Sequence, residues 1–230
     1  MNRIKVAAEQ EIWVDLRRSA QARRLSLRVS NLDGRVTLTV PRHVSEAVAV
    51  DFAQSKADWL HKHLANRAPL CLVKPGIKLP VEGKLRLVTI GQARTAKLFE
   101  ETIEAPEARV AASIAVLLKS MARERLQAAS ERFATQVDRK INRVTLRDTR
   151  SRWGSCSEAG NLMYSWRLIL APSDVLTYVA AHEVAHLVEM NHSQAFWDVV
   201  ADLCPNYAEP RKWLRQEGAG LHAFRFSSGD

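Results

Sequence analysis

The chain has 230 residues, 47% of them hydrophobic, and a formal net charge of +9. That is enough apolar sequence for one good core, or for a core plus a small subdomain. No apolar run approaches the roughly 20 residues of a membrane span, and Met1-Asn2-Arg3-Ile4-Lys5 is not followed by a signal-peptide apolar region. Three scattered cysteines, Cys71, Cys156 and Cys204, make no disulfide framework, so the cytosol is the simplest address.

Residues 11–40 alternate as strands do. Asn31-Leu32-Asp33-Gly34 is a hairpin turn signal between Leu25–Val29 and Val36–Val40, and Pro41 ends the second strand. Residues 45–65 carry helical periodicity through Val48, Phe52, Trp59 and Leu60. A further strand pair is expected over 77–100, with turns near Glu82-Gly83 and Gly91. Pro106 opens a long amphipathic helix predicted to run to about Arg139, and 141–149 reads as a strand. Leu162, Tyr164, Trp166, Leu168 and Leu170 alternate with Met163, Ser165, Arg167 and Ile169, a strand signature that leads directly into the next helix. The expected organisation is a β-rich N-terminal subdomain with one helix over 1–104 and a second subdomain over 105–230, the two read as parts of one continuous domain. The tail from Gly218 is expected to be loose at its end.

The chemistry concentrates in His182-Glu183-Val184-Ala185-His186 and His192, an H-E-x-x-H-x5-H pattern. Residues four apart share a helix face, so His182 and His186 can offer both imidazoles to one ion. Glu183 lies about 100° round the helix, placed to reach a metal-bound water without ligating. His192 as third ligand leaves a fourth position open, as catalytic zinc requires, and such a water has a pKa of roughly 7. Pro172-Ser173 supplies the helix start, with Ser173 as N-cap and Asp174 in the first turn. Met190-Asn191 is a plausible turn, because Asn tolerates the left-handed conformation, and Ser193 looks like the N-cap of the following helix. Glu189 stays on the metal stripe as a partner of a ligand or as an alternative ligand. Cys156 reads as a small packed residue, with ligation or redox chemistry as its alternative.

The run Ser151-Arg152-Trp153-Gly154-Ser155-Cys156-Ser157, with Gly160-Asn161-Leu162, Trp166–Pro172, His182-Glu183, Asn191-His192-Ser193 and Phe196-Trp197, resembles the YgjP-like metallopeptidases. These are zincin-type proteins akin to the WLM and SprT groups. The segments Arg23-Arg24-Leu25-Ser26-Leu27-Arg28-Val29 and Ser55–Leu60 resemble the family more weakly. The resemblance implies an α+β fold with a zincin-like core, in which a small antiparallel sheet shelters the H-E-x-x-H helix. It also implies one zinc ion on His182, His186 and His192, with Glu183 as base. Arg152, Trp153 and Tyr164 are candidate substrate contacts, and Arg152, Tyr164, Tyr178 and Tyr207 are candidate oxyanion stabilisers.

Charge is the second clue. Arg139, Lys140, Arg143, Arg147, Arg150 and Arg152 crowd one segment opposed only by Asp148, and Arg17, Arg18, Arg23, Arg24 and Arg28 form another cluster. They could attract nucleic acid, nucleotides or acidic peptides, or be a solvated surface. Three functions compete: a zinc metallopeptidase acting on peptides or proteins, a metal-dependent nucleotide or phosphoester hydrolase, and a nucleic-acid-associated protease.

Overall fold

The computed structural model describes residues 3–6, 11–30, 34–65 and 70–227. Packing divides the chain into two compact units, Met1–Pro69 and Leu70–Asp230.

The first unit is a four-stranded sheet with two helices. β1 (Arg3–Val6), β2 (Ile12–Ser19), β3 (Ser26–Val29) and β4 (Val36–Pro41) lie in the order β1-β2-β4-β3. β2 and β4 pair in parallel and the outer pairs are antiparallel. The expected pairing of 25–29 with 36–40 is present, with Leu27 opposite Leu38 and Val29 opposite Val36. Residues 31–33 of its turn signal lie outside the described residues. The helical stretch is two helices, α1 (Glu46–Gln54) and α2 (Ala57–Ala65), interrupted where Ser55 caps α1. Ala49, Ala53 and Leu60 face the core with Val14 and Leu38, whereas Val48 and Trp59 are exposed. Small residues thus form the packed face, which a search for large apolar side chains passes over.

The second unit begins with β5 (Cys71–Leu72), β6 (Lys78–Val81), β7 (Lys84–Ile90), β8 (Lys97–Leu98) and β9 (Thr102–Ala105). β6 and β7 turn tightly through Glu82 and Gly83, both at positive φ. A glycine accommodates that conformation at little cost. A short 3-10 turn at Glu107–Arg109 leads into α3 (Val110–Gln136). Leu79, Val88 and Ile103 share one core with Ile114, Leu118 and Leu126 of α3. The 78–105 strands bury their apolar face in the same core as the long helix.

β10 (Arg143–Arg147), β11 (Gly154–Cys156) and β12 (Asn161–Ser165) form a sheet ordered β10-β12-β11. It is mixed rather than antiparallel: β12 runs parallel to β10 and antiparallel to β11. The strand expected over 162–170 ends at Ser165, and Trp166–Leu170 forms a 3-10 turn. Every side chain of that turn is buried, Arg167 included, so the alternation there did not encode two faces. Then follow α4 (Ser173–Ala185), α5 (Gln194–Leu203), α6 (Ala208–Glu217) and β13 (Phe224–Arg225), which pairs with β5. The fold is α+β, with small sheets and six α-helices among the described residues. No helix among the described residues is long and apolar enough to cross a membrane.

Candidate metal centre

α4 starts after Pro172, which stands in the N-cap position expected for Ser173 and offers no capping side chain; Asp174 Oδ1 accepts from the Val175 N–H at 2.9 Å. The helix is apolar nearly all round, with Val175, Leu176, Val179, Ala180, Ala181, Val184 and Ala185 buried, as befits a core helix. It ends at Ala185 with His186 as C-cap, and the backbone leaves through a tight turn in which the Leu187 N–H donates to the Val184 carbonyl. Glu189 is thus beyond the helix. Its main-chain carbonyl, not its carboxylate, serves the site: His186 Nδ1–H donates to it at 3.0 Å. That bond leaves Nε2 of His186 for a ligand.

Asn191 shapes the elbow through its side chain. Its Oδ1 accepts from the Ser193 N–H at 2.9 Å, an Asx-type turn, and its φ is not in the left-handed region. Ser193 occupies the N-cap position of α5 without a side-chain capping bond. The elbow returns His192 to α4, where His192 Nε2 and His182 Nε2 stand 3.2 Å apart. One ligand atom from each of His182, His186 and His192 lies within 4.8 Å of the others. Phe196, fully buried on α5, packs against all three rings, with centroids 4.9 Å from His182, 4.5 Å from His186 and 4.8 Å from His192.

These residues fit a metal ion. Two nitrogens bound at about 2.0–2.1 Å to a tetrahedral ion lie about 3.3 to 3.4 Å apart, close to the His182–His192 separation. Burial holds the His182 pKa down to about 3, with His186, His192 and Arg211 adding in the same direction. Neutral imidazole, the ligating form, is therefore the form present at pH 7.

Glu183 is buried in the wall of the same cleft, a hollow of about 460 Å³. Burial raises its pKa to about 8 in the metal-free protein, against an opposing pull from Arg152. Its side chain lies against the backbone of β11. A Cβ on Gly154 would stand 2.5 Å from Glu183 Oε1 and 2.6 Å from Cγ, so only glycine leaves the carboxylate its place. The glycine of the Trp153-Gly154-Ser155 run was legible as part of a motif, but its role depends on a contact across 29 positions of sequence.

The substrate candidates separate. Arg152 lines the cleft. Trp153 turns away, stacking on His222 at 5.0 Å and lying where a Cβ on Gly218 would press against it. Tyr164 is fully buried in the core, its hydroxyl 2.9 Å from Ser130 Oγ, and cannot meet a substrate. Tyr178 is buried edge-on to His182, and Tyr207 stacks between Tyr178 and Trp197. Of the four oxyanion candidates, Arg152 is the one among the cleft-lining residues. Cys156 also lines the cleft but stands outside the ligand group. Burial, with Glu183 nearby, pushes its thiol up to about 11, so in the metal-free protein it is the protonated form at neutral pH. Arg143, Arg147 and Arg150 do not line the cleft.

The YgjP-like family, described as a metallopeptidase domain, matches residues 23–217. The chain belongs to this family. Its kinship supports a metal-dependent peptidase, hence a hydrolase acting on peptides. The crystal structure of the metallopeptidase zymogen of Pyrococcus abyssi abylysin aligns with this YgjP-like chain at a TM-score of 0.36 and 19% identity, covering 40% of this chain and 95% of that one. No curated protein matches.

Proposed function

We propose that this YgjP-like protein is a zinc metallopeptidase with a zincin-like core, holding one ion on His182, His186 and His192 and using Glu183 as general base. The observation that carries this reading is the convergence of three imidazoles beside a buried carboxylate. An all-imidazole donor set with an open fourth position suits catalytic zinc. When bound, the ion supplies Lewis acidity and a water with a pKa near 7.

The chain's own groups do the rest. Glu183 accepts a proton from the attacking water and returns it to the leaving nitrogen, a role its raised pKa favours. Arg152, at the cleft wall, supplies positive charge for the developing oxyanion. β11 is an edge strand of its sheet and contributes Gly154, Ser155 and Cys156 to the cleft. An unpaired edge there suits an extended peptide added as a further strand.

The test is cleavage of casein and a peptide library by metal-loaded protein, beside Glu183→Gln and His192→Ala. Glu183→Gln should keep zinc and lose hydrolysis by several powers of ten, whereas His192→Ala should lose the metal. If Glu183→Gln stays active or loses zinc, its assignment as base fails. Turnover of nucleoside triphosphates without peptide cleavage would instead favour the phosphoester alternative, with Arg152 clamping phosphate.

A further inference from the structure

The N-terminal unit carries a surface that the metal centre does not use. Alternation in its strands sends Ile12, Val14 and Leu38 into the core and turns Trp13, Asp15 and Arg17 of β2 to the opposite face. Strand register places the rest of that face. Thr37 lies between Asp15 and Arg28, and Thr39 lies opposite Arg17. Arg17 and Arg28 are exposed, and Trp13 is 49% exposed.

The acids here are already engaged. The Asp15 carboxylate accepts from Arg3 at 2.9 Å and lies 3.7 Å from Arg35, and Glu11 pairs with Lys5. Arg17 and Arg28 make no hydrogen bond or ion pair with any described residue. The face therefore offers one exposed aromatic residue, two guanidinium groups with no partner among the described residues and two threonine hydroxyls, beside the Arg3–Asp15 and Lys5–Glu11 pairs. Adjacent strands are about 4.8 Å apart, so Arg28 stands about 10 Å across the sheet from β2.

We propose that this open sheet face binds single-stranded nucleic acid, a base stacking on Trp13 and phosphates meeting Arg17 and Arg28. Each element of the surface has a use in that complex. Every base offers a π-face to an exposed indole, and arginines beside it track the backbone. Threonine hydroxyls can donate to phosphate or sugar oxygens. An acidic peptide would engage the arginines but leave the indole unused. A duplex keeps its base faces stacked inside and presents only phosphates. The inference stands apart from the zinc reading, since none of these residues belongs to the metal centre.

The test is fluorescence anisotropy of the full-length protein with a labelled oligothymidylate of about twenty nucleotides, between about 50 and 200 mM salt. Trp13→Ala should weaken binding roughly fivefold to a hundredfold, with little change in salt dependence. The double variant Arg17→Glu, Arg28→Glu should flatten the slope of log K against log salt by about 1.4, the share of two phosphate contacts on a single strand. These side chains lie outside the core, and circular dichroism with metal content verifies that the variants stay folded. Duplex DNA and polyglutamate, as competitors, should displace the strand poorly. No binding at low salt overturns the proposal. So does an unchanged affinity in Trp13→Ala, or displacement by polyglutamate as effective as by unlabelled strand, either of which reduces the face to a general cationic surface.

Discussion

Glu183 and Gly154 form one unit of chemistry although they lie on different elements. Burial raises the Glu183 pKa to about 8 in the metal-free protein. The same burial leaves no slack: the side chain fills the volume that any Cβ at position 154 would need. In Gly154→Ala the clashing atoms are the flexible end of Glu183, so the carboxylate moves while the β11 backbone stays. Hydrolysis should fall on the order of a hundredfold, the usual cost of a displacement near an ångström, while zinc stoichiometry stays at wild type. Metal analysis and kcat on the same preparation check this. Loss of zinc in Gly154→Ala would mean that β11 supports the ligands rather than the base.

At the scale of elements, the elbow between α4 and α5 sets the position of the third imidazole, His192. The H-E-x-x-H helix and the return of His192 were legible in the sequence because residue spacing on a helix is fixed by its pitch. What spacing did not reveal is how the elbow is held. Asn191 acts through its side chain on the Ser193 N–H, and Glu189 acts through a carbonyl, a group that every residue possesses. Phe196 was legible as part of a motif, but not as the surface against which three imidazoles pack. Tyr164 shows the opposite error. A tyrosine on a strand next to the site invites a catalytic role, yet its strand face points into the core, where Ser130 satisfies the hydroxyl. The 166–170 stretch misled for a related reason: alternation signals two faces only where one face is solvated, and here both are buried, whereas 162–165 is the strand expected. If Asn191 positions His192, Asn191→Ala should weaken zinc affinity about 10- to 100-fold, the range typical of a residue supporting a ligand. Asn191→Asp, which keeps the accepting oxygen, should restore most of it. Competition with a zinc chelator measures both. Equal affinity in wild type and Asn191→Ala would show that the backbone alone fixes the elbow.

The whole molecule is built around two separate cores, and their sizes differ. The N-terminal core gathers around Val14, Leu38 and Leu60, whereas the C-terminal core extends from Leu79 and Ile103 through Leu118 and Leu162 to Phe196 and Phe226. Larger units bury a greater fraction of their surface, so the C-terminal one has the means to fold alone. Its ends are tied together as well: β13 pairs with β5, and buried Arg167 donates to both Asp148 oxygens, at 2.6 and 3.0 Å, and to the Leu221 and Phe224 carbonyls. Burial alone would raise the Asp148 pKa, but the bonds and charge of Arg167 outweigh it and hold the carboxyl below its ordinary value. A depressed carboxyl stabilises the fold above its unfolded pKa of about 3.9 and loses that contribution as pH falls through the folded value. A fragment covering residues 70–230 should therefore unfold in one cooperative transition at neutral pH and bind zinc with the affinity of the full chain. A fragment starting at residue 105 should do neither, because removing 70–104 strips Leu79, Val88 and Ile103 from the face of α3 and takes away the β5 partner of β13. Thermal unfolding with zinc titration on the two fragments decides the matter: a folded, zinc-binding 105–230 fragment would put the division back near residue 104, and an unfolded 70–230 fragment would make the N-terminal unit part of the folding unit.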